Sequence, residues 1–278
     1  GNDITPAEMM QRADVALYAA KAAGRNCFQL YDASMDQARR DSRSLEVDLR
    51  NALIDGVGLY LLYQPIYDAE SGAIVGAEAL VRWQHPVRGS LSPDQFIPIA
   101  EDRGVIAELG LWVLKQACGF AANSDLPWIA VNVSPLQFAD PNFSDRVMGV
   151  LTQCGLAPAR LELEITEGLL LQDSAEVKDT LAKLRSAGIT IALDDFGTGY
   201  SSISHLRNHE VDKLKIDQSF IRMIGRDQAA ATIVRSIIEM AIALDMSVTA
   251  EGVEDDLQRE RLKKLGCSSL QGYLLSRP

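Results

Sequence analysis

A series of polar side chains recurs along the chain, each within or directly after a short apolar stretch. Most are carboxylates, accompanied by one asparagine, one lysine and one glutamine: Glu78, Asn132, Glu164, Glu167, Asp194, Asp195, Lys215, Glu251, Glu254 and Gln271. Any one of them alone is typical of a solvated strand end. Their recurrence, about once per strand and helix, indicates a shared site.

Carboxylates gathered at one site repel each other, by on the order of 4 kcal/mol for a pair about 4 Å apart at an effective dielectric of about 20. Divalent cations relieve that repulsion. Oxygen ligands without Cys or His favour Mg²⁺, Mn²⁺ or Ca²⁺ over Zn²⁺. The adjacent pair Asp194-Asp195 is typical of a two-metal site, in which one carboxylate bridges ions about 3.5–4 Å apart.

The segment that follows this pair contains Gly197 and Gly199. The two glycines predict a flexible loop beside the site. The functional interpretation is a loop that couples metal occupancy to a neighbouring surface, and the alternative is a plain turn between strand and helix.

Two basic side chains lie in apolar strands. Lys215 is costly there unless it is paired, with the acidic cluster or with a water or phosphate oxygen. Lys213 and Asp217 share its strand face by alternation and are alternates for its role. Arg82 shares a strand face with Glu78, and an acid beside an arginine favours a phosphoester ligand. A surface Arg–Glu pair is the alternative.

Strand-like and helix-like segments alternate from about residue 57 onward, which predicts a largely parallel sheet. Eight strands over this length favour a closed (β/α)₈ barrel, whose catalytic groups lie at the carboxyl ends of its strands. The predicted strands are 58–65, 74–82, 128–134, 160–165, 189–194, 212–216, 247–251 and 268–271. The predicted helices are 93–122 in two pieces, 142–154, 174–187, 201–207, 228–245 and 255–265.

The first 55 residues follow a different pattern. We predict an amphipathic helix over 6–24, a short strand over 27–31 and a charged helix over about 35–54. One helix and one strand cannot bury a core by themselves. We therefore interpret residues 1–34 as the end of another domain, residues 35–55 as a linker helix and residues 56–278 as the main domain.

Composition excludes several classes of protein. The chain has 278 residues, with 27 Lys and Arg against 38 Asp and Glu, for a net charge of −11. Such acidity argues against non-specific binding of duplex nucleic acid. No apolar run reaches the length of a membrane span, so we expect no membrane contact from this segment. The four widely spaced cysteines predict free thiols in a reducing compartment.

The motifs resemble the EAL-domain phosphodiesterases of bacterial cyclic di-GMP signalling over about residues 43–278. The signature triplet is Glu78-Ala79-Leu80, within an ExLxR pattern that ends at Arg82. The other matching motifs, in chain order, are Gln64-Pro65-Ile66, Val131-Asn132-Val133-Ser134, the ExxE of Glu164 and Glu167, the DDFGTG sequence at 194–199, the KxD of Lys215 and Asp217, Glu251-Gly252-Val253-Glu254, and Gln271-Gly272-Tyr273.

Residues 12–26 resemble the RADxALYxAKxxGRN pattern near the end of a GGDEF domain. The GGDEF signature itself is absent. The resemblance implies that residues 1–34 are the C-terminal remnant of a GGDEF domain, from a GGDEF–EAL tandem protein, and that this chain is not a cyclase.

The EAL resemblance implies a modified (β/α)₈ barrel with its first strand reversed, and metal-dependent hydrolysis of cyclic di-GMP to linear pGpG. By this resemblance Glu78, Asn132, Glu164 and Asp194 hold a first Mg²⁺ or Mn²⁺, and Asp194 and Asp195 hold a second; Ca²⁺ is inhibitory. Lys215 holds or orients the attacking water, and Glu251 is either the general base or a second-metal ligand. Glu167 braces the DDFGTG loop and Glu254 supports the site, while Gln64, Leu80, Arg82 and Gln271 contact the ligand.

The resemblance also implies a homodimer formed through the EAL domain. It implies a cytoplasmic location, either of a free protein or of the cytoplasmic part of a membrane-anchored sensor. A catalytically silent cyclic di-GMP receptor is the first alternative, although such receptors usually lack a metal ligand and none is missing here. A barrel glycosidase with two carboxylates is the second. Scarce aromatic residues argue against it, with 7 Phe, 7 Tyr and 3 Trp.

Overall fold

The structure is a computed structural model that describes residues 5–22, 27–171, 174–197, 211–224 and 227–278. It comprises two compact units. The first contains residues 1–57 and 94–105, and the second contains residues 58–93 and 106–278. Within the described ranges, no helix combines the length and the apolar character that crossing a bilayer requires.

The first unit is helical, and its helices are α1 (Pro6–Ala22), α2 (Ala33–Asp55) and α3 (Pro93–Asp102). The helix α2 begins where the Asp32 side chain accepts a hydrogen bond from the Ser34 amide, and it ends at Gly56, whose φ is 67°. A capping carboxylate and a left-handed glycine are typical helix ends. The predicted helix over 35–54 is therefore confirmed.

The predicted strand over 27–31 is wrong. Its residues belong to no strand, and Phe28 and Leu30 are 85% and 79% exposed. A strand needs a neighbouring strand to satisfy its backbone, and the described residues offer this segment none. The residues of one short segment cannot indicate whether a partner strand exists.

The second unit is a closed barrel of eight strands with one additional strand. In chain order the strands are β1 (Leu59–Asp68), β2 (Ile74–His85), β3 (Gly89–Leu91), β4 (Ile129–Val133), β5 (Leu161–Thr166), β6 (Thr190–Phe196), β7 (Lys213–Ile216), β8 (Ser247–Ala250) and β9 (Ser269–Leu270). The barrel closes because β1 pairs with both β2 and β9. Among the described strands, β3 pairs with β2 alone and is the additional one.

The first strand runs against its neighbours. The strand β1 is antiparallel to β2 and to β9, whereas the pairs from β2 through β4 to β9 are parallel. A short turn joins β1 to β2, in which Asp68 accepts a hydrogen bond from the Ser71 amide and Gly72 has a φ of 69°. So short a connection can join only antiparallel strands. The predicted barrel and its reversed strand are both confirmed.

Helices alternate with the parallel strands. They are α4 (Ile106–Ala122), α5 (Phe143–Cys154), α6 (Glu167–Leu170), α7 (Ala175–Ser186), α8 (Gln218–Met223), α9 (Gln228–Ala243) and α10 (Asp256–Lys264). The predicted helix at 201–207 and the loop residue Gly199 lie outside the described residues. Along β5, fully buried Leu161, Leu163 and Ile165 alternate with Glu162 and Glu164. One face of the strand therefore packs outward against helices, and the other points into the barrel.

Candidate active site

Six inward-pointing side chains meet at the carboxyl ends of the parallel strands. We call Glu78, Asn132, Glu164, Asp194, Lys215 and Glu251 the site layer. Strand alternation and register place them there: Asn132 is paired with Glu164 across β4 and β5, and Glu251 directly follows β8. Residues far apart in sequence thus come to one level of the barrel, as this fold requires of its catalytic groups.

Lys215 is the centre of the site layer. Its ammonium nitrogen Nζ lies 2.6 Å from Glu251 Oε1 and 2.7 Å from Glu164 Oε1. It also lies 3.2 Å from Asp194 Oδ1 and 3.7 Å from Glu78 Oε2. Burial by itself would lower the pKa of Lys215, but the surrounding carboxylates, led by Glu164, raise it well above its usual value. Lys215 is therefore a fixed cation in an acidic ring.

Two side-chain amides hold the carboxylate of Glu78. Asn132 Nδ2 donates to Oε1 over 2.7 Å, and Gln271 Nε2 donates to Oε2 over 2.8 Å. Burial would raise the pKa of Glu78, but Lys215 and these two amides outweigh it, and the pKa is lowered. A buried carboxylate fixed by donors to both oxygens remains ionised and keeps one orientation.

Glu164 has the opposite environment. It is buried, and neither of its carboxylate oxygens has a hydrogen-bond donor among the described residues. Lys215 approaches to ion-pair distance, but the angles do not meet hydrogen-bond geometry. Burial and the negative charge of Glu78 raise the pKa of Glu164 well above its usual value. A buried carboxylate without donors is costly as a structural element, and a metal ligand is one role that explains it.

A second group of carboxylates lies at the rim. Asp194, Asp195 and Glu251 each offer an oxygen within 4.8 Å of the other two. Asp195 takes a left-handed conformation, with a φ of 54°, and its amide donates to Asp194 Oδ1 over 3.0 Å. Burial raises the pKa of Glu251 to about 7, against the opposing effect of Lys215. Burial and the charge of Asp194 also raise the pKa of Asp195.

This donor set fits divalent cations that prefer oxygen. Carboxylate oxygens and the Asn132 amide lie together in the site layer, which contains no Cys or His. In the part of the chain that the structure describes, the Glu164 oxygens have no hydrogen-bond donor. Mg²⁺ and Mn²⁺ have these ligand preferences, whereas Zn²⁺ favours nitrogen and sulfur.

The start of the loop after β6 is tied to Glu167. The Gly197 amide donates to Glu167 Oε1 over 3.1 Å. Gly197 has a φ of 97°, and a Cβ atom there would lie 2.8 Å from the Phe220 ring. A side chain would therefore be both strained and crowded, which explains the glycine. The contact is consistent with the predicted bracing role of Glu167, within the described part of this loop.

An open cleft of about 740 Å³ lies over the site layer. Gln64 and Gln271 meet at its wall, where Gln271 Nε2 donates to Gln64 Oε1 over 3.1 Å. Asn132, Glu164 and Lys215 are not among its lining residues and belong to the site layer. The lining residues are Gln64, Glu78, Asp194, Gln218, Arg222, Glu251, Gly252, Glu254, Gln271, Gly272 and Tyr273.

Two predicted ligand contacts are not among the lining residues that the structure describes. Leu80 and Arg82 lie farther along β2, and both are partly exposed. The Arg82 guanidinium donates through Nη1 to the neighbouring Val81 carbonyl over 2.9 Å. Their role as ligand contacts stays a prediction. It requires a ligand that extends beyond this cleft.

The sequence did not identify Gln218, Arg222 and Tyr273 as cleft residues. Arg222 donates to Gln218 Oε1 over 2.9 Å and lies 3.4 Å from Glu254 Oε1. Glu254 thus pairs with a basic residue at the mouth of the cleft. Their positions in the sequence could have indicated a place at the cleft, because Gln218 and Arg222 are four residues apart on the short helix that directly follows β7.

A profile of the EAL domain matches residues 46–278. The chain belongs to the EAL-domain family. MucR of Pseudomonas aeruginosa, a bifunctional diguanylate cyclase/cyclic di-GMP phosphodiesterase, is 41% identical over 283 residues, which cover 100% of this chain and 41% of MucR. NbdA of the same organism, a cyclic di-GMP phosphodiesterase, is 40% identical over 276 residues, which cover 98% of this chain and 35% of NbdA.

Solved structures agree with this assignment. The MucR phosphodiesterase in complex with c-di-GMP superposes on this EAL domain with a TM-score of 0.79 at 41% identity, and covers 84% of this chain and 97% of that one. The chain spans less than half the length of the two curated relatives, 41% of MucR and 35% of NbdA. Their names therefore describe proteins with considerable additional sequence.

Proposed function

We propose that this EAL domain hydrolyses cyclic di-GMP to linear pGpG, with Mg²⁺ or Mn²⁺ bound at the site layer. The observation that carries the proposal is the convergence of four carboxylates on one buried lysine beneath an open cleft. The names of MucR and NbdA support the substrate, since both are described as acting on cyclic di-GMP.

The charge of the substrate explains why cations are required. A phosphodiester is anionic. The carboxylates of Glu78, Glu164, Asp194 and Glu251 would therefore repel the substrate at close range. We assign Glu78, Asn132, Glu164 and Asp194 to a first ion, and Asp194 and Asp195 to a second. Bound cations neutralise the phosphate and lower the pKa of a coordinated water.

The chain's own residues supply the remaining chemistry. The Lys215 ammonium orients the attacking water, because the carboxylates around it hold the ammonium in one place. Glu251, 2.6 Å from Lys215, has two candidate roles: acceptor of the water's proton, or ligand of the second ion. Gln64 and Gln271 offer amide groups to the ligand at the cleft wall. We retain Leu80 and Arg82 as further ligand contacts.

The decisive experiment measures turnover of cyclic di-GMP by chromatography with added Mg²⁺ or Mn²⁺, with and without excess EDTA. We expect linear pGpG only when active metal is present, and inhibition by Ca²⁺. Full activity in excess chelator would contradict the two-metal assignment.

A parallel titration of cyclic di-GMP in Ca²⁺ separates binding from catalysis. Binding without any product, under every metal condition, would identify the domain as a receptor instead of an enzyme. The oligomeric state is best measured in the same samples, because we infer that the EAL domain pairs with a second copy.

A further inference from the structure

The barrel interior contains a second pair of charged residues below the site layer. Glu162 and Lys213 lie two residues before Glu164 and Lys215 on β5 and β7, so each has the same inward orientation one level deeper. The Lys213 ammonium forms a buried ion pair with Glu162 Oε2. We call Glu162 and Lys213 the inner pair. Ala192, on the strand between them, is small enough to let the lysine reach across.

The inner pair is closed off from solvent. Glu162 and Lys213 are 3% and 7% exposed. The Lys213 ammonium lies 3.8 Å from the centre of the Trp128 ring, a cation–π contact. A Cβ atom on Gly76 would lie 2.4 Å from that ring, so the glycine leaves the space that the indole fills. Buried ion pairs are often no more stabilising than apolar residues of similar volume, so stability alone does not explain this one.

Glu162 is also a competitor for Lys215. Its second oxygen, Oε1, is buried and has no hydrogen-bond partner in the described structure. Burial raises the pKa of Glu162, and the positive charges of Lys213 and, less strongly, of Lys215 oppose this shift. When cations engage the site-layer carboxylates, those carboxylates attract Lys215 less. An unneutralised Glu162 would then draw the Lys215 ammonium down and away from the substrate.

We propose that Lys213 is a positioning residue: by neutralising Glu162, it keeps the Lys215 ammonium in the site layer. The inference rests on the proposed function, because it assigns Lys213 a role through Lys215. Three observations support this role: the positions of Glu162 and Lys213 on their strands, the ion pair between them, and the Glu162 oxygen that has no hydrogen-bond partner in the described structure.

The test is a double-mutant cycle on the intact chain with Lys213→Met, Glu162→Gln and the double variant. We expect Lys213→Met to lower kcat by about tenfold to a hundredfold, the cost of misplacing a reacting group, with KM within about threefold. In the Glu162→Gln background the same substitution should cost less than about threefold, because no buried carboxylate remains to attract Lys215. Lys183→Met is the matched control, since it breaks an exposed ion pair with Asp179.

Calorimetric titration with Mn²⁺ distinguishes positioning from loosened structure. If the Lys215 ammonium moves deeper into the barrel, the site-layer carboxylates lose a neighbouring cation. Lys213→Met should therefore bind Mn²⁺ as tightly as the parent protein or more tightly. Weaker Mn²⁺ binding, or an equal loss of kcat in both backgrounds, would overturn the proposal. If Lys213→Met does not fold, Lys213→Gln replaces it, because the glutamine side-chain amide is neutral but can still donate a hydrogen bond to Glu162.

The outcome does not depend on measurable turnover. If the parent protein hydrolyses no cyclic di-GMP, the proposed function fails, while Mn²⁺ affinity and a crystal structure of Lys213→Met still test the inference. That structure should show Lys215 Nζ closer to Glu162 than to Glu164. A Lys215 that keeps its parent position would overturn the positioning role even in an active enzyme.

Discussion

The site layer and the inner pair use the same residue types on the same strand faces, yet their charges balance differently. The site layer combines four carboxylates with one ammonium, and the described residues offer the Glu164 oxygens no hydrogen-bond donor. The inner pair matches one carboxylate with one ammonium beneath an indole ring. Excess negative charge is therefore confined to the end of the barrel that opens into the cleft.

The difference shows how one barrel interior serves two purposes. Uncompensated charge at the cleft end is unfavourable for folding and favourable for binding cations. The paired charges of Glu162 and Lys213, one level below, cost less free energy on folding. The electric field at the site is then set by the site layer.

Replacing Glu78 should break the site layer outright. We expect Glu78→Ala to lower turnover of cyclic di-GMP by about a thousandfold or more, because a fixed metal ligand is lost. Chromatographic detection of pGpG measures the effect. Glu70→Ala is the control, since the Glu70 side chain is 82% exposed and forms a surface ion pair with Lys263. Parent-like turnover in Glu78→Ala would remove Glu78 from the metal site.

The outer face of β5 should govern stability instead. Leu163 is fully buried between Glu162 and Glu164 in sequence, on the opposite face of β5. Leu163→Ala should lower the free energy of unfolding by about 2–5 kcal/mol through lost burial and a residual cavity. Urea denaturation of the metal-free protein measures it. A change below about 1 kcal/mol would contradict tight packing on that face.

Neutralising Glu164 should have opposite effects with and without metal. Glu164→Gln removes a buried carboxyl group whose ionisation costs free energy, so the metal-free variant should be more stable than the parent, by about 1 kcal/mol. With Mn²⁺ present the parent should be the more stable of the two, since the variant has lost a ligand. Thermal unfolding in EDTA and in Mn²⁺ tests both signs. The same ranking in both conditions would show that Glu164 has no role in metal binding.

The smallest expected effect is a dependence of stability on pH. Folding raises the pKa of Glu251 to about 7 and that of Glu164 well above its usual value. The folded metal-free protein therefore binds more protons than the unfolded chain near neutrality, and its stability falls as pH rises through 7. From pH 6 to pH 8 we expect a loss on the order of 1 kcal/mol.

Denaturant titrations at the two pH values measure this loss. The pKa of Glu78 is lowered and that of Lys215 is raised, so both groups titrate outside this pH window. The Glu251→Gln variant should show a smaller dependence on pH. An increase in stability toward pH 8 would contradict the raised carboxyl pKa values.

Much of this architecture could be predicted from the sequence. Recurrent strand and helix patterns gave the barrel, and the spacing of polar residues identified Glu78, Asn132, Glu164, Asp194, Lys215 and Glu251 as members of one site. These signals are local, because each inward position follows from alternation within one strand. The error at 27–31 has the same origin: a local residue pattern predicts a strand whether or not a partner strand exists.

The order of the elements, the residue types at the strand ends and the membership of the EAL family can all be recognised in the amino-acid sequence. Which side chains lie close together depends on how the chain folds in three dimensions. The tertiary structure put Gln218 and Arg222 at the cleft, left Leu80 and Arg82 off its described lining, and joined Glu162 to Lys213 across 51 residues. The physical reason is closure of the barrel, which sets the distances between strands that no local pattern encodes.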